Sequence, residues 1–126
     1  GAVLGFLSVA VGAAAFLAAR LGVPIDVISI GGVLASDPGL NYVRKLRHIV
    51  GERDRIERLG AAMFPDRWPV AVYSEWNAAK HEGRIERRVM PGMSHAGVNG
   101  YFGRPPVNGV ANIDRTVDMV ASLIGN

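Results

Sequence analysis

The chain has 126 residues, of which 49% are hydrophobic and 20% charged, so it fits one domain over residues 1–126 and cannot be a disordered polyelectrolyte. Its net charge of +3 comes from scattered basic residues, which excludes the dense basic stripe of a nucleic-acid surface. Cysteine is absent, which excludes disulfides, thiolate catalysis and cysteine-based zinc sites but does not fix a compartment.

The first nineteen residues carry no charge, so they fit either a short membrane span or a buried strand followed by a buried helix. We favour the second reading. Residues 2–6 form a short apolar run typical of a buried strand, and residues 9–21 are rich in small side chains, which predicts a helix lying close on a sheet. Because the first residue is glycine rather than methionine, we expect the chain to come from a longer one.

Three further strands are predicted along the chain. Residues 25–30 are rich in β-branched side chains and end at a glycine pair, residues 46–50 end at Gly51, and residues 84–90 end at a Pro-Gly turn. Residues 36–39 have the composition of a turn, and residues 97–109, with four glycines and two prolines, predict a loop.

Three further helices are predicted between and after these strands. Residues 55–64 place apolar side chains on one helical face, residues 76–80 suit a short helix, and the last helix begins near Asn112. The apolar faces expected to pack on the core are Ile56, Leu59 and Met63 in the first helix, and Ile113, Val117, Val120 and Ile124 in the last. The alternation of strands and helices predicts an α/β fold with a mostly parallel sheet flanked by helices.

Three side chains that carry hydrolytic chemistry each follow a predicted strand: Ser8, Asp54 and His95. Active groups in an open parallel sheet gather at the carboxyl ends of the strands, so we expect these three to converge. Their order along the chain is nucleophile, acid, base, which is the order of the triad in α/β hydrolases.

Two segments carry a resemblance to the α/β-hydrolase superfamily. Residues 47–56 resemble its acid-bearing strand, an apolar run followed by G-x-x-D, and residues 89–97 resemble its last strand and catalytic-histidine turn. The resemblance spans nearly the whole chain but covers only the C-terminal half of that fold. It implies a serine hydrolase of the esterase or lipase kind, acting on a small-molecule or lipid ester without a cofactor. It also implies a second polypeptide segment that supplies the missing early strands and completes the sheet.

The resemblance assigns a role to each of these residues. His95 would take the proton from the Ser8 hydroxyl, and Asp54 would orient His95 and stabilise its charged form. The backbone N–H of Val9, expected at a helix N-terminus, would donate to the oxyanion. Four aromatic side chains in the surrounding loops could line an acyl or aryl pocket or simply cover the sheet edge: Trp68, Trp76, Tyr101 and Phe102.

The nucleophile departs from the G-x-S-x-G pattern of the family, so alternatives stay open. Starting the pattern at Gly5 puts Leu7 at the nucleophile position, whereas choosing Ser8 puts bulky Phe6 where a small residue is needed. Ser8 could equally cap a helix, and Asp54 could belong to a solvated run of charges. The alternative function is therefore a non-catalytic α/β-hydrolase-fold protein, or a fragment that needs a partner segment to be active.

The other histidines do not indicate a second site. His48 lies within a predicted strand and His81 sits beside charged neighbours, so structural or exposed roles are expected for both. The three histidines show no i, i+4 pair, so we predict no metal site.

Overall fold

The computed structural model describes residues 2–124, and the side chains from residue 10 onward within that range. The elements are α1 (Ala2–Leu21), β1 (Ile25–Ile30), β2 (Val43–Gly51), α2 (Arg55–Met63), α3 (Glu75–His81), β3 (Ile85–Met90), β4 (Pro106–Val107), β5 (Val110–Ala111) and α4 (Asn112–Ile124). Two 3₁₀ turns, Pro38–Tyr42 and Pro65–Arg67, lie in the connections.

A three-stranded parallel sheet in the order β1-β2-β3 forms the centre of the molecule. The strands predicted over residues 25–30, 46–50 and 84–90 are confirmed as β1, β2 and β3, as is the α/β class with a parallel sheet. β4 and β5 form a separate antiparallel pair, in which β4 lies inside the segment predicted to be a loop, residues 97–109, and β5 directly follows it.

The two faces of this sheet pack against different helices. On one face, Val27 and Leu46 join Val11 of α1 and Trp76 of α3 in a hydrophobic cluster. On the other face, a second cluster contains Ile49 of β2 and Leu123 of α4. The sheet therefore lies between helices, and its carboxyl-terminal edge is left to loops that carry polar side chains.

The predicted strand over residues 2–6 is wrong, because α1 is one continuous helix from Ala2 to Leu21. A short apolar run cannot be assigned to strand or buried helix by periodicity, and this one continues directly into an alanine-rich helical segment without a turn residue to separate them. None of the helices described between residues 2 and 124 is both long enough and apolar enough to span a bilayer.

The predicted core face of α2 is also wrong. Ile56, Leu59 and Met63 are exposed, whereas Glu57 and Gly60 are buried. Polar contacts fix the orientation of the first turn of α2: Asp54 accepts a hydrogen bond from the Glu57 N–H, and the Glu57 carboxylate contacts His48 of β2. In this orientation the apolar stripe points away from the sheet.

The predicted core face of α4 is partly correct, since Ile113 is half-buried and Val120 packs against the second cluster. Asn112, Thr116 and Leu123 are buried, whereas Val117 and Ile124 are exposed. The Thr116 hydroxyl donates to the carbonyl of Tyr101 at 2.8 Å, so a polar contact fixes which side of α4 meets the core.

Candidate functional site

Asp54 lies at the end of β2 and caps α2. The chain leaves β2 through Gly51, where a Cβ atom would collide with the backbone of Met93, so only glycine fits this approach. Asp54 then accepts a hydrogen bond from the Glu57 N–H at its Oδ1 atom, 2.9 Å away, which is a standard N-cap contact. Its side chain is fully buried, and its second oxygen, Oδ2, is left for other partners.

His95 lies in the turn that follows β3. The turn opens with Pro91 and with Gly92 at φ 71°, a backbone conformation that favours glycine. The Arg53 N–H donates to the Met93 carbonyl at 2.8 Å, which joins this turn to the loop after β2. As a result, His95 Nδ1 lies 3.0 Å from Asp54 Oδ2.

Tyr101 is the third member of this cluster. Its hydroxyl donates to Asp54 Oδ2 at 2.5 Å and accepts from the buried Gly51 N–H at 2.6 Å. Burial, followed by the hydrogen bond to Asp54, raises the pKa of the Tyr101 phenol far above its ordinary value. Tyr101 therefore stays protonated and serves Asp54 as a permanent donor.

The arrangement fixes which nitrogen of His95 can act as a base. With Nδ1 donating to the Asp54 carboxylate, the neutral imidazole carries its lone pair on Nε2. Over the part of the chain whose side chains are described, the His95 ring has a hydrogen bond only at Nδ1. Its side chain is 22% exposed, whereas that of Asp54 is inaccessible. A buried carboxylate therefore orients an imidazole that solvent and a small molecule can reach.

The predicted nucleophile and oxyanion donor are not placed as expected. Ser8 and Val9 lie within α1, not at a strand-to-helix turn. The predicted position of Val9 at a helix N-terminus is wrong, since an N–H in the middle of a helix is engaged in the helical ladder. The Ser8 side chain lies outside the described residues, so its catalytic role stays a prediction.

The four aromatic side chains predicted to line a pocket do not form one wall. Trp68 and Phe102 are largely exposed, and Tyr101 is buried with its hydroxyl on Asp54. Trp76 is buried on α3, where the guanidinium of Arg67 lies 4.1 Å from the centre of its indole ring. Only Tyr101 belongs to the Asp54–His95 cluster.

A second polar row, missed by the sequence analysis, meets the same first turn of α2 through Glu57. Both ring nitrogens of His48 make a hydrogen bond: Nδ1 lies 3.2 Å from the Ser29 hydroxyl, and Nε2 lies 3.3 Å from Glu57 Oε1. All three residues are buried. The available signal was that His48 lies two residues from each of the apolar residues Leu46 and Val50, which places it with them on a buried face of the strand. Because the Ser29 hydroxyl is closed off from solvent, this row cannot attack a substrate.

Among residues 2–124, no group of three or more histidine, aspartate or glutamate side chains is arranged to hold a metal ion. Comparisons with protein-family models, curated proteins and solved structures found no match for this chain.

Proposed function

We propose that this chain forms the C-terminal half of an α/β-hydrolase-type fold and acts as a serine esterase or lipase on acyl esters. The observation that carries the proposal is the hydrogen bond between Asp54 and His95. These residues follow neighbouring parallel strands, and their spacing and burial are those that a catalytic acid and base require.

In the proposed reaction, the Ser8 hydroxyl attacks the acyl carbon while His95 Nε2 takes its proton. The bond to the alcohol then breaks, and His95 returns the proton to the departing oxygen, leaving an acyl-serine. Water attacks this ester by the same route and releases the acid. Asp54 keeps the imidazole in place and stabilises its charged form in both half-reactions.

A second candidate is that Asp54 and His95 form the acid–base half of a site that another polypeptide segment completes. Two observations favour it. Ser8 lies in a helix rather than at the expected turn, and β1 pairs on one side only, with β2, among the described strands. In this case a partner segment continues the sheet beside β1 and makes the site active.

Active-site labelling tests the first proposal. We expect a fluorophosphonate to label Ser8, and short-chain p-nitrophenyl esters to be hydrolysed. Ser8→Ala should abolish labelling, and His95→Asn or Asp54→Asn should lower kcat/KM by about 10³- to 10⁴-fold. Asn at position 54 can still cap α2 through its side-chain oxygen. Matched controls are the exposed residues in His81→Asn and Ser122→Ala, which should leave the rate unchanged.

The same experiment separates the two candidates. Labelling at Ser8 by a chain that sediments as a stable monomer supports the first and contradicts the second. An unlabelled chain that is found with a partner polypeptide, and becomes labelled only in that complex, supports the second. Hydrolysis that is unchanged in both Asp54→Asn and His95→Asn would contradict both proposals.

A further inference from the structure

A cavity of about 340 Å³ is lined by residues of β2, β3, α2 and α3, and neither Asp54 nor His95 is among them. Six of the side chains that line it decide its chemistry: Glu57, Arg58, Arg67, Trp76, Lys80 and Arg87. Four of these are cations and one is a carboxylate. The lining therefore carries an excess of positive charge that an anionic occupant would balance.

Arg67 is the most deeply placed of these cations. Its side chain is 9% exposed, and its guanidinium carbon lies over the Trp76 ring, 4.1 Å from the ring centre. One terminal nitrogen donates to the Leu34 carbonyl at 3.2 Å and the other to Glu57 at 3.3 Å. Its Nε is buried with no hydrogen-bond partner among the described residues. Burial lowers the pKa of this guanidinium, whereas the pKa of an arginine that is fully paired with carboxylates is raised.

Among the described residues that line the cavity, Glu57 is the only carboxylate, and its oxygens are already shared. His48 Nε2 and Arg67 lie 3.3 Å from Oε1, and Arg87 lies 3.9 Å from Oε2. The hydrogen bond from His48 and, after it, the charge and hydrogen bond of Arg67 outweigh burial and lower the pKa of this carboxyl, so it is ionised. One shared carboxylate cannot neutralise four cations.

The remaining cations have little local compensation. Arg58 makes one long hydrogen bond, 3.4 Å to the Asp54 carbonyl, and Arg87 reaches Glu57 only at 3.9 Å. The Lys80 ammonium has no ion pair among the described residues. Arginine forks bind carboxylate and phosphate oxygens through paired N–H groups, and a lysine beside them adds a point charge.

We propose that this cavity is a binding site for a small oxyanion, the phosphate or carboxylate group of a ligand, held by Arg67 and Arg87 with Lys80 at its rim. The site does not depend on the hydrolase proposal, since it shares no side chain with the Asp54–His95 pair. Binding involves no covalent step.

Trp76 provides the readout, because Arg67 covers its ring and the chain has only one other tryptophan. In a Trp68→Phe variant, the emission of Trp76 is followed while inorganic phosphate, acetate or chloride is added at constant ionic strength. We expect a saturable change with phosphate or with acetate and none with chloride. The tighter of the two oxyanions identifies which group the natural ligand carries.

Variants at the rim of the cavity then test the assignment. In the Trp68→Phe background, Lys80→Gln and Arg87→Gln should each weaken the affinity about tenfold, the loss expected for one charge-assisted contact. Both side chains are exposed enough for folding to tolerate the change. The matched control is Arg104→Gln, which removes an exposed cation elsewhere and should leave the affinity unchanged.

Three results would overturn the proposal. These are a response to chloride equal to that of phosphate and acetate, a response that rises without saturation, or an affinity that Arg87→Gln and Arg104→Gln change by the same factor. Each would show that the ions screen the surface charge rather than occupy a site.

Discussion

Asp54 is the residue on which three separate segments depend. Its Oδ1 caps α2 through the Glu57 N–H, and its Oδ2 accepts from both His95 and Tyr101. A carboxylate has about four acceptor positions, so one side chain can hold a helix and two loops at once. This sharing explains how a fully buried charge is tolerated, because each oxygen has donors at hydrogen-bond distance.

Tyr101→Phe tests how much this network stabilises the fold. The substitution keeps the ring but removes the oxygen that accepts from the Gly51 N–H, leaving a buried donor without a partner. We expect the free energy of unfolding, measured by urea denaturation, to fall by about 1–3 kcal/mol. The control is Tyr73→Phe, because Tyr73 is 98% exposed and its loss should change stability by less than about 0.5 kcal/mol. Equal effects at the two positions would contradict the bridging role of Tyr101.

The sequence predicted the meeting of Asp54 with His95 but not the contact of Tyr101. Asp54 and His95 each follow a strand, and parallel strands bring such positions to one edge. Tyr101 lies in a glycine- and proline-rich loop, where no periodicity relates a side chain to its target. Its assignment to a pocket wall therefore missed a hydrogen bond to a residue 47 positions away.

At the scale of elements, α2 shows why an apolar stripe alone does not identify a core face. The stripe of Ile56, Leu59 and Met63 is regular, yet it faces outward. The inward side is built from Gly60, which lets the helix approach Val33, and from Glu57, which belongs to the buried ion cluster. The contacts of Glu57 with His48 and the close approach of Gly60 to Val33 fix which side of the helix faces inward.

Gly60→Ala tests this close approach. Alanine is the better helix former by about 1 kcal/mol, but a Cβ at position 60 would overlap the Val33 side chain. We expect a net loss of about 1–3 kcal/mol in the free energy of unfolding, from overpacking. Gly12→Ala in α1 is the matched control, since open space surrounds that position, and it should stabilise the chain by about 0.5–1 kcal/mol.

A second substitution makes the Gly60 result specific. In a Val33→Ala background the overlap is removed, so adding Gly60→Ala should cost less than it does alone. A Gly60→Ala variant that is as stable as Gly12→Ala, or a cost unaffected by Val33→Ala, would show that α2 does not approach the chain at this point.

At the scale of the whole molecule, a row of polar side chains crosses each face of the sheet. On the α2 and α3 side, Ser29, His48 and Arg87 are paired neighbours on the three strands. On the α4 side, Arg47 lies between Asp26 of β1 and Glu86 of β3, at 3.1 and 3.6 Å. The alternating pattern predicts the parallel direction of the strands, but the strand order and these rows depend on pairing and register, which the sequence does not encode locally.

The row centred on Arg47 makes the attachment of β1 to the sheet sensitive to acid. Hydrogen bonds from Arg44 first, and from Arg47, outweigh burial and lower the pKa of Asp26 from 3.8 to about 2. A carboxyl whose pKa is lower in the folded state stabilises the fold above its unfolded pKa, and this contribution disappears as the pH falls through the folded pKa.

We therefore expect Asp26→Asn to lower the free energy of unfolding by about 0.5–1 kcal/mol at pH 7 and by almost nothing near pH 2. The value at pH 7 is small because the Arg44 side chain is 63% exposed, so that solvent screens the ion pair. Urea unfolding from pH 7 to pH 2 measures this, with the exposed Asp118→Asn as the control whose effect should stay constant. An Asp26→Asn cost that is the same at both ends of the range would show that the carboxylate does not hold β1 to its neighbour.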